Sequence, residues 1–228
     1  MRARRAAAWP RGVAVVVLAK YPTPGRVKTR LAVHVGAAAA ADLYAGFVRD
    51  LARRLRAAGC PLWWAATPPR APFASLVRSR RCFPQRGRDL GARMDHATRV
   101  VAARTGGPVI VLGADVPHVS FRPLVAAARA LERGADVVLG PAADGGYWMI
   151  GVRQPCRVLF DDIAWSTPRV VAATRRRIRT LALRCVEVAP CWDVDDAHDL
   201  ARLARTIRRR PAEFPHTRKA LARLNRRV

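Results

Sequence analysis

"PVIVLGAD", residues 108–115, runs from Val109 to Leu112 without a polar residue and then closes on a glycine, an alanine and an acid. An unbroken Val/Ile/Leu run of this length reads as a strand covered on both faces, which is the habit of parallel sheets rather than of half-solvated hairpins. Stretches of the same kind flank it: "VAVVVLA" (13–19), "PLWWAAT" (61–67), "ADVVLGPA" (135–142), "GYWMIGV" (146–152) and "RCVEVAP" (184–190). Between them lie helical stretches. The longest, 36–59, spaces Leu43, Phe47, Leu51 and Leu55 at four-residue steps and stops at Gly59. Others cover 90–105, 121–134, about Pro168 to Leu181, and a run from Ala197. Strands alternating with helices predict a three-layer α/β/α sandwich around a mostly parallel sheet. Residues 13–210 read as a single domain, with a basic extension at 1–12 and a basic, helical tail at 211–228 packed on the domain.

The chain has 228 residues, of which 51% are hydrophobic and 25% charged, a globular composition. Its 42 Lys and Arg against 16 Asp and Glu give a formal charge of +26, which favours an anionic partner. The arginines are dispersed, and no zinc-finger, RRM or KH signature accompanies them, so no specific nucleic acid is expected. Only Lys20, Lys28 and Lys219 are lysines. Five cysteines, none in a C-x-x-C pair, suggest neither a disulfide framework nor a zinc site and fit a reducing cytoplasm. Arginines ahead of the Val13–Ala19 run mimic a secretion signal, but the run ends on Lys20 without a small-residue cleavage site, so it reads as a strand with no membrane span.

In an open parallel sheet, ligands bind beyond the carboxyl ends of the strands, and the unusual residues fall there. After the first strand comes "AKYPTPGRVKTRL" (19–31), with a turn at Gly25 and the cations Lys20, Arg26, Lys28 and Arg30 around Thr29. It is neither a Walker A loop nor G-x-G-x-x-G, so a phosphate cradle and a plain basic turn both remain open. Asp115 ends the central strand, where a carboxylate facing a loop of cations suits a Mg²⁺ or Mn²⁺ ion that bridges phosphates. "GPAADGGYWMIG" (140–151) sets Asp144 before Gly145, Gly146, Tyr147 and Trp148. Asp144 there is suited to sugar hydroxyls or a metal shell and an aromatic to covering a sugar or base, while a hairpin turn is the competing reading. "WDVDDAHDL" (192–200) is the densest run of carboxylates: Asp196 reads as a helix cap, and Asp193, less surely Asp195, as a strand-end metal ligand.

Taken in order, "AKYPTPGRVKTRL", "GRDLGARM", "LGADVP", "GPAADGGYWMIG", "FDDIAWST" and "DVDDAHDL" resemble a family of small GT-A-type proteins described as glycosyltransferase-like, some of them assigned to arsenosugar biosynthesis. The likeness runs from about Val13 to Leu200. It implies a nucleotide-diphospho-sugar transferase fold, with Gly25, Lys28 and Arg30 in the nucleotide-phosphate loop and Asp115 as the metal-binding aspartate. Gly87, Leu90, Gly91, Arg93 and Met94 match the second motif, with Gly91 and Arg93 expected near the nucleotide. Asp144, Gly145 and Gly146 match the next motif, and Trp165, Ser166 and Thr167 match "WST", both expected on the sugar or acceptor. Two positions depart: Val116 stands where the family often has Ser, and Asp196-Ala197 where it has Thr-Pro.

The expectation is a metal-dependent glycosyltransferase that moves a sugar from a nucleotide-diphosphate donor to a small acceptor, with Asp115 and Asp144 catalytic and Asp115 and Asp193 on the metal. A nucleotidyltransferase, joining a nucleoside triphosphate to a phosphorylated small molecule with release of pyrophosphate, is the alternative. A non-catalytic anion or nucleic-acid binder on the same fold is the distant third.

Overall fold

The computed structural model describes residues 8–226. The first seven residues of the expected extension and the last two of the tail lie outside the described residues. Seven strands form one sheet: β1 (Ala14–Lys20), β2 (Leu62–Thr67), β3 (Cys82–Pro84), β4 (Val109–Gly113), β5 (Val137–Pro141), β6 (Tyr147–Val152) and β7 (Cys185–Glu187), in the order β3-β2-β1-β4-β6-β5-β7. All neighbours run parallel except β6, which is antiparallel to both β4 and β5. The α/β class is as expected, and the hairpin joining β5 to β6 is what turns one strand around.

Period-two alternation along β1 assigns its side chains to two layers. Val13, Val15 and Val17 face a core built with Leu43, Phe47, Leu51 and Leu55 of α2 (Ala37–Ala57), Leu124 and Leu131 of a helix over Phe121–Glu132, and Leu203 of a helix over Ala197–Arg209. Ala14 and Val16 face the opposite layer, with Met94, Ala97 and Val101 of a helix over Leu90–Thr105 and Val171 and Ile178 of one over Val170–Thr180. Both faces are therefore sealed, which explains why the strands carry continuous apolar runs. At β1, Val15 pairs with Leu62 on one side and Ile110 on the other.

Three short elements were not expected. α1 (Thr29–Val35) begins inside the basic loop, directly after Lys28, and Gly36, at φ 82°, separates it from α2. A short helix over Phe73–Val77 and the three-residue β3 complete the near edge. Counting all described helices in order, those over Phe73–Val77, Leu90–Thr105, Phe121–Glu132, Val170–Thr180 and Ala197–Arg209 are α3 to α7, and Pro215–Leu224 is α8. α8 lies on α2. Gly46 is the point of closest approach, because a side-chain carbon there would stand 3.0 Å from the Thr217 backbone. The buried Asp50 carboxylate accepts from His216 N–H (3.1 Å) and Thr217 N–H (2.8 Å), satisfying donors at the start of α8. Among the described residues no helix is long and apolar enough to cross a membrane.

Candidate active site

The carboxyl ends of β1, β4, β5 and β7 share one edge of the sheet, and a cleft of about 400 Å³ opens there. The charged groups that line it are Lys20, Lys28, Arg30 and Arg93 together with Asp115, Asp193 and Asp195; Thr29, Tyr44, Gln85 and Tyr147 add polar groups. That volume lies in the range of small-molecule sites.

At the centre is Lys28. Its side chain is only 4% exposed, and its ammonium forms ion pairs with the Asp115 carboxylate and, at 2.8 Å, with Asp195 Oδ1. Burial works against the charge, but the two carboxylates outweigh it and hold the ammonium above its ordinary pKa. The Tyr44 ring lies 5.7 Å from the nitrogen, and the Tyr44 hydroxyl accepts from Lys20 N–H at 3.2 Å, tying the end of β1 to α2. The Lys28 backbone is left-handed (φ 48°), a conformation that an L residue adopts at a cost and that here aims the side chain inward.

Asp193 has the opposite balance. Burial first, then the carboxylates of Asp115 and Asp195, raise its pKa to about 7, with Asp144 adding to the same effect and Lys28 opposing it. A half-buried acid among three like charges is under-neutralised, and its hard oxygens are the donors a Mg²⁺ or Mn²⁺ ion prefers. Asp115 and Asp193 bring carboxylate oxygens, the donor type a divalent cation takes, to the same cleft. A second acidic group, Asp196, His198 and Asp199, brings ligand atoms within 4.8 Å of one another at the start of α7. Two of its members are already occupied: Asp196 caps α7 by accepting from Asp199 N–H (2.9 Å), and Asp199 accepts from Asp195 N–H (3.1 Å).

The two loops that carry the central acids are fastened together. Val194 N–H donates to the Asp115 carbonyl at 3.0 Å. His118 stacks on Trp192 with centroids 3.8 Å apart, and the Arg202 guanidinium lies 4.1 Å from the Trp192 ring. From the other side the buried Arg54 donates to the carbonyls of Pro117 and Val119 and pairs with Glu213 at 3.0 Å. Burial, with Arg54 and Arg202 nearby, lowers the His118 pKa to about 3. Unfolded histidine titrates near 6.5, so between these values the unfolded chain binds the extra proton and stability is lost as pH falls from about 6.5. The group should contribute a slope of roughly 1.4 kcal/mol per pH unit over that window. Urea unfolding at pH 7, 6 and 5 should show a shallower fall for His118→Phe, which keeps the stack and cannot charge; an unchanged slope would assign the loss elsewhere.

Several expected site residues sit away from the cleft. Gly25 (φ 73°) makes the turn and Arg26 is exposed; neither lines the cavity, which this loop and the start of α1 meet at Lys20 and at Val27, Lys28, Thr29 and Arg30. Asp144 and Gly145 form the β5–β6 hairpin turn: Ala142 N–H donates to the Gly146 carbonyl, and Asp144 Oδ1 accepts from Gly146 N–H at 2.9 Å. Gly145 (φ 86°) has no room for a side chain against the Pro168 carbonyl. Asp144 is exposed at the rim, close enough to influence Asp193. Trp148 does reach the cleft wall, but it is buried, 2% exposed, with its indole N–H on the Ala189 carbonyl, so it presents no open face to a ligand. Trp165 covers Gly91, where any side chain would collide with its ring, and meets Tyr147 edge-on at 6.3 Å. Ser166 (φ 63°) and Thr167 shape the turn before α6, with the Thr167 hydroxyl donating to the Ala164 carbonyl.

Gln85 was not foreseen. Its side-chain amide donates to the carbonyls of Ala19 (3.0 Å) and Ala65 (2.9 Å), which fixes the amide and leaves Oε1 as an acceptor at the cleft. One glutamine after a three-residue strand carries no motif, so only the fold exposes it.

The mostly parallel α/β/α sheet is of the nucleotide-diphospho-sugar transferase class of fold, as its likeness to a solved structure shows. Residues 49–167 match the family described as "Uncharacterized protein conserved in bacteria (DUF2064)", and the chain belongs to that family. Among solved structures it is similar to a candidate nucleotide-diphospho-sugar transferase from Desulfovibrio desulfuricans G20, at 31% identity over 94% of this chain and 97% of that one, with TM-score 0.84. Fold-level likeness extends to CMP:2-keto-3-deoxy-manno-octonic acid synthetase complexed with CTP (15% identity, 86% of this chain, 98% of that chain, TM-score 0.56). It extends also to a cytidylyltransferase from Leptospira borgpetersenii serovar Hardjo-bovis (14% identity, 89% and 96%, TM-score 0.52). No curated protein matches the chain.

Proposed function

We propose that the protein is a metal-dependent glycosyltransferase that takes a sugar from a nucleotide-diphosphate donor to a small acceptor. The observation that carries this reading is the convergence of Asp115, Asp193 and Asp195 with Lys20, Lys28, Arg30 and Arg93 on one cleft at the carboxyl edge of the sheet. The Desulfovibrio relative, a candidate nucleotide-diphospho-sugar transferase at 31% identity, supports it. Asp115 and Asp193 would hold a Mg²⁺ or Mn²⁺ ion. Bound there, the cation would neutralise charge on the departing diphosphate. Lys28, Arg30 and Arg93 would hold phosphate oxygens through charge-assisted hydrogen bonds, with Lys20 beside them at the end of β1. Gln85 Oε1 would accept from a ligand N–H, the kind of donor that a nucleobase presents. Asp144, exposed on the hairpin, would meet sugar or acceptor hydroxyls at the rim, with Tyr147 as the neighbouring aromatic. Trp165, Ser166 and Thr167 would act by shaping that rim. Five unpaired cysteines suit a reducing cytoplasm.

Incubation with a panel of nucleotide sugars and Mn²⁺ should release nucleoside diphosphate in the presence of a mixture of small hydroxylic acceptors. Absence of both release and binding across the panel would sink the reading. Four cations lining one cleft also suit a triphosphate, and pyrophosphate release from a nucleoside triphosphate mixed with phosphosugars would establish nucleotidyl transfer instead.

A further inference from the structure

The cation that balances the central acids belongs to the chain itself. Lys28 Nζ contacts Asp115 and Asp195 together, its side chain is 4% exposed, and the two carboxylates remain 42% and 43% exposed toward the cleft. An ammonium in that place and a divalent ion on Asp115 draw on the same carboxylate charge. The lysine also lines the cavity and sits at the start of α1, on a loop beside Arg30. It is therefore within reach of two kinds of anion, the acids that hold it now and any phosphate that enters the cleft.

We propose that Lys28 is the resident counter-ion of the Asp115–Asp195 pair, and that a divalent cation binds Asp115 tightly only when an entering phosphate draws this ammonium away. Metal and phosphate then bind with strong positive coupling, and neither saturates the site alone. This deepens the transferase reading and rests on it for the identity of the phosphate, while the competition between ammonium and metal stands on the ion pairs themselves. The left-handed backbone at Lys28 (φ 48°) fits such a role, since a residue kept in a costly conformation marks a place where position outweighs local stability. Reciprocity follows from linkage: whatever factor phosphate adds to metal affinity, metal adds to phosphate affinity.

The test uses the full chain, protein-bound Mn²⁺ measured by equilibrium dialysis with the Mn²⁺–pyrophosphate complex fixed by protein-free controls, and inorganic pyrophosphate as the phosphate probe. Wild type should bind Mn²⁺ weakly alone and at least about tenfold more tightly with pyrophosphate. Lys28→Met frees the acids and should bind Mn²⁺ alone about tenfold more tightly than wild type, with the pyrophosphate effect largely lost. Lys28→Arg keeps the charge and should behave like wild type. The gain in Lys28→Met should vanish when Asp115→Asn is added. Mn²⁺ affinity equal to or weaker than wild type in folded Lys28→Met, a gain that survives Asp115→Asn, or no pyrophosphate effect in wild type would each overturn the proposal. If instead nucleotide sugars and triphosphates all fail to bind while the Mn²⁺ results hold, the transferase reading falls and the counter-ion role stands.

Discussion

Asp115→Asn should abolish the metal-dependent part of nucleotide binding and cut turnover by at least about 100-fold. The side chain lies just beyond β4, 42% exposed, where it meets the Lys28 ammonium and shares the field of Asp193. Asparagine keeps the shape and removes the charge, so the fold should survive and the cation lose its anchor. A nucleotide sugar held at a hundred times its dissociation constant with Mn²⁺ adds about 2.7 kcal/mol to stability. For a chain of this size that corresponds to a rise of roughly 5–10 °C in Tm. Wild type should show that rise with Mn²⁺ and much less after chelation, and Asp115→Asn should show only the smaller, chelated value in both conditions. A full Mn²⁺-dependent shift in the variant would remove Asp115 from the metal.

Trp148→Ala should cost about 3–5 kcal/mol of stability. Adjacent glycines and aromatics at 145–148 invite a ligand-covering role for Trp148, but its ring is 2% exposed within the layer formed by α2, α5 and α7. It also fills the space over Gly140, where a side-chain carbon would strike the indole, and its N–H satisfies the Ala189 carbonyl at 3.3 Å. Truncation leaves a cavity and an orphaned carbonyl, so the urea midpoint should fall with little change in slope. A loss under 1 kcal/mol accompanied by weakened nucleotide binding would return Trp148 to the ligand site.

What the sequence made legible follows from how each element is stabilised. β1 and β4 are sealed on both faces, so their signal is a local run of Val, Ile and Leu that needs no knowledge of partners. Asp196 as a helix cap was legible for the same reason, since a cap acts within three residues. The reversal of β6 was not, because Asp144-Gly145 serves a tight hairpin as readily as a ligand loop, and only pairing with both β4 and β5 decides. α1 escaped because the Lys28–Arg30 stretch carries the charge of a loop, although Leu31 and Val35 at four-residue spacing and Gly36 beyond them are its signature. Gln85 and the Lys28–Asp195 pair depend on residues far apart in the chain, so no spacing announces them.

The path after β7 has a consequence for how the protein is made. β7 is the outermost strand, yet the chain beyond it passes Ala142 at the end of β5, where Cys191 bridges, and reaches the middle of the sheet, where Val194 bonds to Asp115. Strands β1 to β4 can be in place while the cleft still lacks Asp193 and Asp195, because those residues are delivered from the far edge. During synthesis Asp193 and Asp195 therefore join Asp115 only after β7 has emerged and docked. A chain cut before residue 185 would lack Asp193 and Asp195 and, with them, Leu203 and Phe214 of the core layer that covers β1.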